Sequence, residues 1–227
     1  MSSGGADRPS TARLIDLVTE ELYATHTADE RAAQVARREY EERRGKVHQD
    51  DELWESWSAA FVEWYVVERL APGHPVPPAG LSYQALPADD ERAEVMRALV
   101  TSHRSLFEVR DLAPAKGGGA QRIELLDLLG GAMFHVDEKR AMHGVEVGDV
   151  AELRLIGLRG EVAFGRTFIY HPKAARTAIA ERARTMLSGG VARRDVIDQI
   201  AQLRVQVTRY RHMPPARVYE LGSRIMG

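Results

Sequence analysis

Apolar residues recur at helical spacing over the first hundred positions. Ser10 or Thr11 is placed to cap a first helix, with Leu14, Leu17, Val18 and Leu22 along one face. Thr27-Ala28-Asp29-Glu30 has the form of a capping box, in which two side chains satisfy orphan backbone donors at a helix start. The helix that follows is mostly charged, carries Ala33, Ala36 and Tyr40 as its narrow apolar stripe, and stops at Gly45. Asp50, Asp51 and Glu52 suit the positive end of a third helix. That helix presents Trp54, Trp57, Phe61, Trp64 and Tyr65 at steps of three, four, three and one, and holds every tryptophan of the chain. Residues 71–88 contain five of the ten prolines and are expected to form an extended connector, because proline cannot donate a backbone hydrogen bond. A further helix opens at Asp89, with Val95, Met96, Leu99 and Val100 as its apolar side.

From residue 105 the period changes to two. Strands are expected at 105–113, 121–129, 132–137, 150–157 and 161–170, with glycine turns at 117–119, 130–131 and 160. After His171-Pro172 the helical period returns, at 174–187, 191–211 and 216–225. The fold class is therefore α+β: N-terminal helices, a small curved antiparallel sheet or partly open barrel, and C-terminal helices. The expected regions are 1–103, 104–172 and 173–227. In the longest C-terminal helix Val196, Ile200, Leu203 and Val207 make a 4-3-4 seam, open between packing on 174–187 and a contact between two copies of the chain.

Composition removes several classes. With no cysteine among 227 residues there is no disulfide scaffold, cysteine-ligated zinc or thiol nucleophile. No apolar run has the roughly 18 residues of a spanning helix, and the N-terminus lacks a signal-peptide core, so a cytoplasmic protein without membrane contact is expected. The net charge of −2 hides an asymmetry. Residues 173–227 carry eleven Lys and Arg against four Asp and Glu, while 1–172 carry twenty against twenty-nine. Arg193, Arg194, Arg204, Arg209, Arg211, Arg217 and Arg224 make that region a candidate surface for an acidic partner or for nucleic acid.

Other chemistry is sparser. Asp127, Asp137, Glu138 and Lys139 follow the spacing of a divalent-metal nuclease, in which carboxylates hold the cation and lysine orients water. His135 and His143 flank one turn and could approach Asp137 around a metal. No two of the eight histidines sit at i, i+4 in an expected helix. No phosphate loop, nucleophile elbow or dinucleotide fingerprint is present, and no cofactor is expected. The aromatic stripe would suit a ligand groove, but its continuity and the lack of a basic residue on that face favour core.

Phe61-Val-Glu-Trp64-Tyr65, Ser105-Leu-Phe-Glu-Val109, Leu126-Asp-Leu-Leu-Gly130 before Val136, Val147-Gly-Asp-Val150 and Leu153-Arg-Leu155 together form a pattern over residues 50–170. It resembles the helical-plus-small-β regions found upstream of SEC-C zinc segments in bacteria, without the zinc segment. The resemblance implies this architecture and an adaptor role, and carries no catalytic residue. The leading expectation is thus a non-enzymatic protein acting through a protein partner; the alternatives are the metal-dependent phosphodiesterase or nuclease and a nucleic-acid binder.

Overall fold

The structure, a computed structural model, describes residues 10–70, 72–87, 89–114, 119–140, 142 and 144–222. Helix α1 (Thr11–His26) is capped by Ser10, whose Oγ accepts from Arg13 N. Its buried face is Ile15, Val18, Thr19 and Leu22, one step round from the expected one, and Leu17 is exposed. Helix α2 (Glu30–Arg44) is capped by Asp29, which accepts from the backbone of Arg31 and Ala32. Thr27 does not cap it: its hydroxyl turns back to Tyr23 O and finishes α1 instead. Helix α3 is Trp54–Val67; Asp51 spends its carboxylate on His48 N in the turn before it.

The connector corrects one expectation. Pro78–Ala85 is a helix, α4, with Pro78 in its first turn. Proline is tolerated there because its missing N–H is an orphan at that position anyway. Helix α5 (Glu91–Val100) starts from Asp90, not Asp89.

Five strands follow: β1 (His103–Pro114), β2 (Gln121–Asp127), β3 (Met133–Glu138), β4 (Val150–Leu158) and β5 (Glu161–His171). All neighbours are antiparallel, in the order β3-β2-β1-β4-β5. The β4–β5 hairpin turns on Arg159 and Gly160, both at positive φ (54° and 77°), as a two-residue turn matching the strand twist requires. Bulges at Val109/Asp111 and Leu153/Leu155 curl the sheet until its edge strands β3 and β5 lie within 8 Å of each other. They do not pair, so the sheet is curved and open. A single 3₁₀ turn (Lys173–Ala175) leads to α6 (Arg176–Ser188), α7 (Arg193–Arg209) and α8 (Pro215–Leu221).

Alternation along the strands divides the core. Phe107, Val109, Ile123, Leu125, Leu153 and Leu155 fill the inside of the curl. On the other face Ile156, Leu158 and Ile169 meet α1, α3 and α5, while Leu106 and Val150 meet α6, α7 and α8. Trp57, Phe61, Trp64 and Tyr65 are all buried in that first helical core, with Tyr40 at its centre. That core also takes Ala201 and Val205 from α7, so it draws on all three expected regions. Val196, Ile200 and Leu203 are buried against Ile179, Ala183 and Tyr219 of the same chain, and Val207 is half-buried there. The seam is therefore consumed within the chain and is not open to a second copy. Among the described residues, no helix is long and apolar enough to cross a membrane.

Candidate functional site

Two polar clusters stand out, and both depend on charges placed in otherwise apolar strands. The first gathers at the end of β2. Asp127 is buried, 2 % exposed, and its two oxygens accept from four protein donors. Ser105 Oγ (2.5 Å) and Leu129 N (2.9 Å) donate to Oδ1. His103 Nε2 and Arg193 Nη2, each at 2.9 Å, donate to Oδ2. Burial pushes the carboxyl up, but the hydrogen bonds from Ser105, Arg193, His103 and Leu129 outweigh it and hold the pKa at about 2. An ionised carboxylate only accepts, so the proton on the neutral His103 ring sits on Nε2 and leaves the Nδ1 lone pair free. The tight turn after Asp127 makes room for this arrangement. A Cβ on Gly130 would lie 2.7 Å from Asp127 Oδ2 and 2.9 Å from Arg193 Nη1.

The second cluster is sealed between the sheet and the helices. Arg44, from the last turn of α2, reaches Glu152 of β4 and Asp198 of α7. Arg104 reaches Glu68 (2.7 Å), Asp198 (2.5 Å) and Glu152 (3.2 Å). Arg154 joins Glu68, Glu63 and Ser102. Glu63 sits in the middle of the aromatic helix and accepts from Arg166 N and Thr167 Oγ1. It fits only because residue 165 is glycine, where a Cβ would strike Glu63 Oε1. Burial raises the Glu68 carboxyl, but Arg104 and Arg154 overcome this and hold it at about 2. Burial likewise opposes the charge on Arg44 and Arg104, and the surrounding carboxylates more than restore it.

Between the clusters lies a cleft of about 240 Å³. Arg104 and Arg154 form its buried wall, Val67, Val100 and Ile197 its apolar part, and His103, Arg193 and Arg194 its exposed side. Side-chain exposures of 38 % for His103, 41 % for Arg193 and 59 % for Arg194 leave these three open to solvent.

The residues singled out from sequence scatter. Arg122 stands opposite Asp137 in the β2–β3 register, whereas Asp127 lies five positions further along β2. At roughly 3.4 Å per residue that separates the two acids by about 17 Å. Asp137 is exposed and paired with Arg122, and Glu138 is paired with Arg140. Glu138 and Lys139 share with Asp137 a separate hollow at the β3–β5 gap. Asp127 therefore does not join Asp137, Glu138 and Lys139, and its lone pairs are already spent. His135 pairs with Glu124, and His143 lies outside the described residues. Among the described residues no three of His, Asp and Glu are grouped to hold a metal.

The arginines scatter as well. Arg193 and Arg194 border the cleft, but Arg204 is turned inward to Tyr170 O and Glu52. Arg209 caps Lys46 O, Arg211 donates to Thr208 O, and Arg217 pairs with Glu220. Arg224 lies outside the described residues. They do not make one basic face. His103, Ser105, Arg104, Arg154, Glu152 and Asp198 were not singled out from sequence. The signal that could have found them was a charge at an inward position of an apolar run, such as Glu152 and Arg154 within Val150–Leu158.

Fold and site together define an α+β protein with an open antiparallel sheet, helices at both ends and an arginine-lined cleft where they meet. A family of unknown function, DUF7986, matches residues 11–199, and the chain belongs to it. Every residue lining the cleft falls inside that span. No curated protein and no solved structure matches the chain.

Proposed function

We propose that the protein acts by binding rather than by catalysis, and that the cleft receives an acidic group carried by a protein partner. One observation carries the proposal: Ser105 and Asp127, buried beside the cleft, are spent on holding Arg193 and His103 at its exposed side. Ser105 is fully buried and donates to Asp127. Asp127 in turn fixes His103 and Arg193 and has no lone pair left for a metal or a water. These are positioning roles, and what they position is the Arg193 guanidinium and the His103 ring, both open to solvent.

The cleft is smaller than the roughly 300–1,000 Å³ of pockets that enclose a whole small ligand. A group at the end of a side chain suits it better. The test is fluorescence anisotropy of the full-length protein with peptide libraries carrying a fixed acidic residue. Binding should weaken more than tenfold in Arg194→Glu and fall with salt. Binding that is unchanged in Arg194→Glu, or a turnover lost in His103→Ala, would overturn the proposal.

A further inference from the structure

We propose that the acidic group is a phosphate monoester on a serine or threonine of the partner, and that its binding draws one proton onto His103. This rests on the binding function above and names its ligand.

The donor set is the first reason. Arg193 uses Nη2 for Asp127 and Ser105, which orients its guanidinium, and its side chain remains 41 % exposed. Arg194 lies 3.7 Å from Asp195, too far for a hydrogen bond, and its guanidinium projects into solvent. Two guanidinium forks offer more donors than the two oxygens of a carboxylate can take. A phosphate monoester supplies three oxygens and a charge near −2.

The second reason is the helix that carries them. Arg193 and Arg194 are the first two residues of α7, a 17-residue helix whose N-cap, Ala192, has no side chain to accept from the first-turn amides. No side-chain cap closes its positive end beside the two side chains, and Asp195 is the one acid in its first turn.

The third is His103. Its Nε2 proton is committed to Asp127, so Nδ1 accepts when the ring is neutral and donates only when it is protonated. The ring stacks on Phe134 of β3 at 5.5 Å and meets Phe107 of β1 edge-on. The charged groups around the ring and its cleft are Asp127 from β2, Glu68 just after α3, and Arg104, Arg154, Arg193 and Arg194. A dianion seated against the arginines brings acceptor oxygens to that ring, and Nδ1 can donate to them only by taking up a proton.

The experiment uses full-length protein and three probes. They are a degenerate peptide library with a fixed phosphoserine, the same library with glutamate at that position, and inorganic phosphate. The phosphoserine library should bind at least tenfold more tightly than the glutamate library, and the advantage should vanish in Arg194→Glu. Affinity should fall as pH rises, by up to tenfold per unit relative to His103→Asn, which takes up no proton there. Thermal unfolding of each variant, matched to the parent, separates loss of the site from loss of the fold. Equal binding of the two libraries, both lost in Arg194→Glu, would overturn the phosphate assignment and leave the acidic-group function standing. Binding of inorganic phosphate alone would overturn the assignment to a protein partner. A phosphoserine advantage with the same pH slope in His103→Asn as in the parent would overturn the proton coupling. No binding of any probe would overturn both proposals.

Discussion

The two polar clusters are both built around buried carboxylates and arginines and do opposite things. In the sealed one, the side chains of Arg44, Arg104 and Arg154 are 1 %, 7 % and 3 % exposed, and each faces two or more carboxylates. At the end of β2, a carboxylate just as buried is surrounded by donors that are 38 % and 41 % exposed. The sealed network balances its charges internally and ties α2, α3, β1, β4 and α7 to one another. Asp127 instead spends its charge on aiming other groups outward. A buried carboxylate is thus a structural pin or an organiser of a surface according to where its partners end, not according to its own burial.

That contrast can be broken in order of size. Glu152→Ala leaves Arg44 and Arg104 buried with too little opposing charge and should cost about 3–5 kcal/mol, read as a lower urea midpoint at unchanged slope. A smaller effect comes from His171, which lies close to Arg44 and Arg204 and is buried against Tyr219. Burial, reinforced by those arginines, lowers its pKa from 6.5 to about 3. The unfolded chain takes up the proton near pH 6.5 and the folded chain does not until about pH 3, so unfolding binds a proton in between. Stability should therefore fall as the pH drops below 6.5, by about 2 kcal/mol at pH 5, and that part of the slope should be absent in His171→Asn.

On the open side, Gly130→Ala pushes a methyl between Asp127 and Arg193 and should cost about 1–3 kcal/mol, with loss of peptide binding. Smallest of all, Arg194→Ala should change stability by less than about 0.5 kcal/mol while reducing binding, because the side chain is exposed and weakly paired. If Arg194→Ala destabilised the fold as much as Glu152→Ala, the distinction between the clusters would fail.

Local signals in the sequence carried the elements well. The switch from helical to strand period at residue 105 and the glycine turns placed every strand within two residues of its observed ends. They failed where one residue type serves two purposes. Proline-rich 71–88 hides a helix because Pro78 falls at the one helical position that tolerates it. Thr27 and Asp29 could both cap α2, and only the fate of the Thr27 hydroxyl decides between them. The candidate site was harder to read. Asp127 was visible as an acid in an apolar strand, but its partners lie 22, 24 and 66 positions away. No periodicity reports contacts at that distance. The arginine count of the C-terminal region was correct as composition and misleading as a surface, because most of those side chains end on the chain itself.

The sealed network also dictates an order of assembly. Arg44 is separated from Glu152 by 108 positions and from Asp198 by 154, and Arg104 from Asp198 by 94. The β1–β2 and β4–β5 hairpins close over short loops and can form early, whereas these ion pairs must wait for distant loop closure. On a ribosome, Asp198 emerges only after all five strands and the helices up to α6 have left the tunnel. Until then Arg44 and Arg104 lack part of their counter-charge and stay hydrated, so α2 has little reason to settle into place. Docking of α2 is therefore a late event, gated by the emergence of α7.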